Sequence, residues 1–315
     1  MRRALPTAWA LLLALLLSGC PAGNDENAGK PAELAGRKIR AVATIGMIAD
    51  IVRNVGGERV EVTALMGPGV DPHYYKATAG NVDTLKRADV IFYNGLHLEG
   101  RMTDIFENLA ESGKTTVAVA KDIPEDLLRR PREFEGRFDP HVWFDVTLWR
   151  RAARTVQAEL ARLDPGSAAL YEKNAAAYEK TLDALHRYVG AEIARIPKSQ
   201  RVLITAHDAF GYFGRRYNIE VRGLQGTSTA TEVGARDVQD LAVYIAGRGV
   251  KAIFVESSVP ANTIEAVQAA VRSRGRAVAI GGKLFSDAMG AAGTPEGTYV
   301  GMVRYNVDTI VKALK

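Results

Sequence analysis

Thirty residues, Ser167 to Ile196, run between a Pro165-Gly166 pair and Pro197 with no proline and a single glycine, Gly190. Their apolar side chains fall at Tyr171, Ala175, Tyr178, Leu182, Leu185, Val189, Ile193 and Ile196, in steps of three and four. That spacing puts one apolar stripe on a helix, opened by the Pro-Gly turn and closed by Pro197. At 1.5 Å per residue it predicts a rod about 45 Å long, with a break at Gly190 as the alternative. A rod of that length can act as a strut along two bodies.

The sequence on either side supplies those bodies. Before the strut, β-rich runs at Ile39–Ala43, Val60–Leu65, Val90–Tyr93 and Thr115–Ala118 alternate with helical stretches near Ile48–Val55, Ala79–Arg87 and Met102–Ala110. After it come strands at Val202–Thr205, Glu220–Arg222, Ala252–Val255 and Ala277–Ile280. Helices are expected with them near Ala209–Arg216, Ala235–Arg248, Ala261–Arg274 and Thr298–Leu314. Alternation of this kind predicts parallel sheets covered by helices, hence an α/β fold of two parallel-sheet lobes bridged by one long helix. A length of 315 residues, 47% apolar and 24% charged, is ample for two cores and excludes a disordered or polytopic membrane chain. Lys and Arg are scattered among acids, the formal charge is only +5, and no nucleic-acid partner is expected.

The N-terminus fixes the expected compartment. Met1-Arg2-Arg3 precedes a ten-residue apolar run, Ala8 to Leu17, and then Leu17-Ser18-Gly19-Cys20. The run is half of what a membrane-spanning helix needs, so it reads as a signal peptide. Leu-Ser-Gly-Cys resembles the lipobox of bacterial lipoproteins, in which the cysteine is acylated and becomes the first mature residue. On that reading 1–19 is the signal, Cys20 carries lipid into the cell membrane, and 20–37, rich in Gly, Pro, Ala, Asn and charge, is a tether. The N-terminal lobe is expected over 38–165, the linking helix over 166–197 and the C-terminal lobe over 198–315. The body stands outside the cytoplasm, periplasmic or on the outer face of the cytoplasmic membrane, where capture of a solute is the expected task.

Cys20 is the only cysteine, so a thiolate metal cluster is impossible and any metal site must draw on His and carboxylates. Of five histidines, three have an aspartate beside or just before them: Asp71-Pro72-His73, Asp139-Pro140-His141 and His207-Asp208. Each falls at a strand end or a proline-marked turn, where α/β folds gather ligands. A nearby carboxylate can accept the second ring N–H and orient the imidazole. Their separations of more than sixty residues match no local metal motif, so spacing alone leaves each one open between ligand and ordinary hydrogen-bonding histidine. His97 and His186, with Trp143 and Trp149, read as structural residues.

Six blocks settle the comparison: Asp71–Thr78, Ala88–Glu99, Asp139–Asp145 (Asp-Pro-His-Val-Trp-Phe-Asp), Ala206–Phe213, Phe254–Ser258 and Leu284–Gly290. In order and with the lipobox, they resemble the zinc- and manganese-binding solute-binding lipoproteins of bacterial ABC importers, the ZnuA/TroA-like family. The resemblance implies two α/β lobes on one long helix. It also implies metal ligands His73 and His141 from the first lobe with His207 and Asp287 from the second. Asp287 alone would read as a helix-start carboxylate.

Three imidazoles and a carboxylate suit Zn²⁺. Manganese-type members commonly carry Glu at the position of His207, which points to zinc; many zinc-type members carry a His-rich loop where Asp122 to Asp139 has no histidine, which points the other way. The cargo is therefore Zn²⁺ or Mn²⁺, the partner an ABC permease, and the working unit a monomer. Three ligand histidines are expected to compete with three protons as pH falls from about 7 to 5. Gly226–Glu232 resembles a family loop and is expected to support the ligands. The alternative is an extracytoplasmic zinc-dependent hydrolase with Asp208 or Glu232 as base, but four protein ligands would close a tetrahedral site that catalysis needs open. No enzymatic activity is expected.

Overall fold

The computed structural model of the protein describes Leu34, 36–134 and 136–315. The signal peptide, Cys20 and most of the tether lie outside the described residues. Four parallel strands form the first sheet: β1 (Ile39–Ala43), β2 (Val60–Ala64), β3 (Val90–Tyr93) and β4 (Thr115–Ala118), side by side in the order β2-β1-β3-β4. The crossovers carry α1 (Gly46–Gly56), α2 (Ala79–Arg87) and α3 (Thr103–Glu111). Thr78 opens α2 with a capping box, its side chain accepting from the Asn81 amide while Asn81 accepts from the Thr78 amide.

The sequence reading assigns no helix between His141 and Pro165, and here the structure adds one. α4 (Val146–Leu163) is 18 residues long, N-capped by Asp145, which accepts from the Thr147 amide. Its stripe of Val146, Trp149, Ala153, Val156, Leu160 and Leu163 is buried, and the helix lies along the strut.

The strut itself is α5 (Ala168–Ala194), 27 residues and about 40 Å. It runs through Gly190 without a break, and the stripe Tyr171, Ala175, Tyr178, Leu182, Leu185, Val189 and Ile193 is buried.

The second lobe holds β5 (Val202–His207), α6 (Gly211–Tyr217), β6 (Glu220–Gln225), α7 (Ala235–Arg248), β7 (Ala252–Glu256), α8 (Asn262–Arg272), β8 (Ala279–Leu284) and α9 (Tyr299–Leu314). β5 pairs in parallel with β6, β7 with β8, and β5 packs beside β7. Alternation along these strands divides their side chains between two cores. Val202 and Ile204 of β5 and Ile253 of β7 face a small core with Leu241 and Ile245 of α7 and Ile264, Val267 and Val271 of α8. Leu203 and Phe254 turn the other way, into a large core that continues through α9 and α5 into the first lobe. The two lobes thus share one apolar body instead of meeting across water. Among the described residues no helix is long and apolar enough to cross a membrane.

Candidate metal centre

Every strand of a parallel sheet ends on the same side, and the loops that leave there are free to converge. His73 lies in the loop between β2 and α2, His141 in the long loop after β4, His207 is the last residue of β5, and Asp287 follows β8. All four are buried, and one donor atom from each lies within 4.8 Å of the other three. His73 Nε2 is 3.3 Å from His141 Nε2 and 3.7 Å from Asp287 Oδ2. His141 Nε2 is 3.4 Å from Asp287 Oδ1, and His207 Nε2 is 3.2 Å from Asp287 Oδ2. A tetrahedron of N and O donors around zinc, with bonds of ~2.1 Å, has edges of about 3.4 Å. The four measured separations bracket that value.

The rings are turned so that Nε2 points inward. His141 Nδ1 donates outward to Asp139 Oδ1 at 2.8 Å, and the same oxygen accepts the His141 amide at 2.9 Å. Glu256 receives the His207 amide on Oε1 at 2.9 Å, and its Oε2 lies 2.7 Å from His207 Nδ1 in a close ionic contact. Carboxylates on the outer nitrogens fix ring orientation and make the inner nitrogens stronger donors. Neither oxygen of Asp287 meets an aligned hydrogen-bond donor among the described residues, although the residue is buried. A buried carboxylate left in that condition is costly unless a cation completes it.

The electrostatics follow from this packing. Burial drives the charge off His73, whose pKa falls to about 3 with only partial relief from Asp287. Burial opposes charge on His141 as well, but its hydrogen bond to Asp139 and the negative charges of Asp139 and Asp287 outweigh it and raise the ring to about 9. His207 goes the same way, burial being overridden by the charges of Glu256 and Asp287. Burial alone would raise Asp287, yet the two imidazolium neighbours hold it well below the ordinary carboxylate range. The metal-free cluster is therefore a carboxylate between two protonated rings, with the third ring neutral.

Further residues hold the loops. Asp71 accepts the His73 amide at 2.9 Å and, on its other oxygen, the hydroxyl of Thr229 at 2.7 Å, which links the 226–232 loop to His73. Buried Glu99 accepts from Thr44 Oγ1 at 2.6 Å and from the Asn94 amide at 2.8 Å. Asn94 Nδ2 in turn donates to the carbonyl of Pro140 at 3.0 Å, steadying the turn before His141.

One sequence expectation needs correction. His207 does not take its neighbour Asp208 as partner; Asp208 lies 3.5 Å from Arg129, and Glu256 serves His207 instead. Consecutive side chains leaving a strand point to opposite faces, so Asp208 cannot follow the ring inward. Glu256, Glu99 and Arg129 were not singled out from the sequence. The cue for Glu256 was an acid ending an apolar strand, Ala-Ile-Phe-Val-Glu, where a charge is tolerated only with a partner. His97 is exposed with φ 65° and His186 meets Tyr217 Oη at 3.1 Å; neither joins the cluster. Trp143 and Trp149 are buried in the large core.

Residues 41–313 match the family described as zinc-uptake complex component A, periplasmic. The chain belongs to that family. Within it, the manganese-binding lipoprotein MntA of Bacillus subtilis is 47% identical over 315 residues, spanning the whole of both chains. The substrate-binding lipoprotein SloC of a Streptococcus mutans metal ABC transporter is 30% identical over 307 residues, 96% of this chain and 98% of that one. The solved structure of the periplasmic zinc-binding protein TroA from Treponema pallidum superposes with a TM-score of 0.85 at 53% identity, covering 88% of this chain and 99% of that one. The zinc-uptake family fold, two α/β lobes on one long helix, is the fold described above.

Proposed function

We propose that the protein is the extracytoplasmic substrate-binding component of an ABC importer, and that it captures one divalent transition metal on His73, His141, His207 and Asp287 and delivers it to the permease. The observation that carries this reading is the buried carboxylate of Asp287, which meets no aligned hydrogen-bond donor among the described residues, facing three inward-pointing imidazole nitrogens. Relatives of high similarity are described as zinc-binding and manganese-binding, so the cargo is Zn²⁺ or Mn²⁺. Three nitrogen donors, one oxygen and near-tetrahedral edges favour zinc, since Mn²⁺ is better served by oxygen-rich octahedral shells. In the division 38–165, 166–197 and 198–315 each lobe supplies two ligands, so bound metal stabilises the lobes in one mutual arrangement that a permease can recognise. Lipid on Cys20 holds the monomer at the membrane, as the lipoprotein relatives support. Nothing speaks for the hydrolase: Asp208 is engaged by Arg129, Glu232 is exposed, and four inward donors leave a tetrahedral metal no open position.

Native mass spectrometry of the metal-stripped protein offered equimolar Zn²⁺ and Mn²⁺ tests the proposal. One metal per chain, predominantly zinc, is expected. Failure to retain either metal refutes capture, and a predominance of manganese refutes the preference.

A further inference from the structure

The loop after β4 carries an arginine that reaches out of its own lobe. Arg129 Nη1 forms a short ion pair with Asp139 Oδ2, the carboxylate whose other oxygen orients His141. Its Nη2 lies 3.5 Å from Asp208 Oδ2, one residue after His207. The guanidinium rests in a slot that exists because residue 211 is glycine: a Cβ there would fall 1.2 Å from Nη1 and 1.9 Å from Cζ. The backbone of the segment is stitched to the same helix. Arg129 N–H donates to Tyr212 Oη at 3.1 Å, Tyr212 Oη donates to the carbonyl of Asp139 at 2.9 Å, and Arg215 donates to the carbonyl of Leu127.

We propose that Arg129, seated over Gly211, is a positioning residue that ties the carboxylate behind His141 to the segment that begins at His207, and so keeps the two lobes' ligands in register around the metal. It touches no metal and no donor nitrogen. A guanidinium suits the task because its planar fork serves Asp139 and Asp208 at once, which the single ammonium of lysine cannot do. The inference rests on the metal-capture reading and adds to it a residue that sets how long the metal stays. Loss of the wedge frees Asp139 to rotate and the lobes to part, so metal leaves faster, while the encounter of metal with the open cleft changes little.

The test is the zinc dissociation rate of the purified protein, followed by chelator chase, beside the association rate. Arg129→Met and Gly211→Ala should each raise dissociation about tenfold or more and leave association within twofold. Arg129→Lys should fall between them and the parent protein. Because both changes remove the guanidinium from the same slot, the double variant should be no faster than the faster single within twofold. Thermal melts of the metal-free variants within a few degrees of the parent identify the folded ones; if Arg129→Met unfolds, Gly211→Ala, which keeps every charge, decides. Dissociation within twofold of the parent in the folded variants, or multiplying effects in the double, overturns the proposal. A parent protein that binds no zinc overturns the capture reading instead, so the two failures are distinct.

Discussion

Trp143 Nε1 donates to the backbone carbonyl of Ser286 at 3.1 Å, across 143 positions of sequence. The indole stands edge-on to the His141 ring, with centroids 5.2 Å apart, and Tyr299 Oη donates to the Trp143 carbonyl at 2.6 Å. One buried side chain thus packs on His141 of the first lobe and fixes the residue before Asp287 in the second. Trp143→Phe removes the donor and strands a buried carbonyl, a loss of roughly 1–3 kcal/mol. A lower denaturation midpoint together with several-fold weaker zinc binding is expected; a stability loss with affinity unchanged would assign Trp143 to the core alone.

Asp287→Asn keeps the shape and removes the charge. The raised pKa values of His141 and His207 depend in part on that carboxylate, so both should drop toward 6.5 in the metal-free variant. Imidazole titrations by NMR read this without any metal, and rings that titrate as in the parent protein would contradict the assigned geometry.

The pH dependence of binding differs from the three-proton competition that three exposed histidines would give. His73 stays neutral down to about pH 3 and has no proton to surrender at physiological pH. His141 holds its proton up to about 9, and His207 is shifted in the same direction. Metal must displace those two protons, so log affinity should fall by about two units per pH unit as pH drops from 8 to 5. The sign reverses for the metal-free fold. Rings with folded pKa values above the unfolded 6.5 stabilise the protein fully below 6.5, and that contribution is lost as pH rises through about 9. Chelator competition between pH 5 and 8 and thermal melts between pH 6 and 10 check both halves; a slope near three, or none, would contradict the cluster as described.

Bound metal stabilises only the folded state. At ~100 times Kd the gain is about 2.7 kcal/mol, which for a chain of this size corresponds to roughly 4 °C in Tm. Calorimetric scans with and without zinc should show that rise in the parent protein and its absence in His207→Ala.

Much of this was legible in the sequence, for reasons particular residues make clear. The strut was legible because its stripe from Tyr171 to Ile193 is uninterrupted, and tertiary packing carried the helix past Gly190, whose cost of about 1 kcal/mol is small beside seven buried stripe residues. α4 carries an equally regular stripe, Val146 to Leu163, but its four arginines and the adjoining Asp139–Asp145 block masked it, and no helix was assigned there. His73, His141 and His207 were visible as histidines at strand ends, and their joint role came only from resemblance, because residues more than sixty positions apart meet through topology. The partner of His207 was hidden for the same reason: Glu256 is 49 residues away, at the end of the neighbouring β7. The wedge of Arg129 into Gly211 leaves no local signal at all.

The central claim is that His73, His141, His207 and Asp287 act together as one metal site. Isothermal titration of the metal-stripped protein with Zn²⁺ should give one site per chain, and alanine at any one of the four should weaken binding by tens-fold or more, since water must fill the gap left in the shell. Undiminished one-to-one binding in folded His141→Ala and Asp287→Ala variants would contradict it.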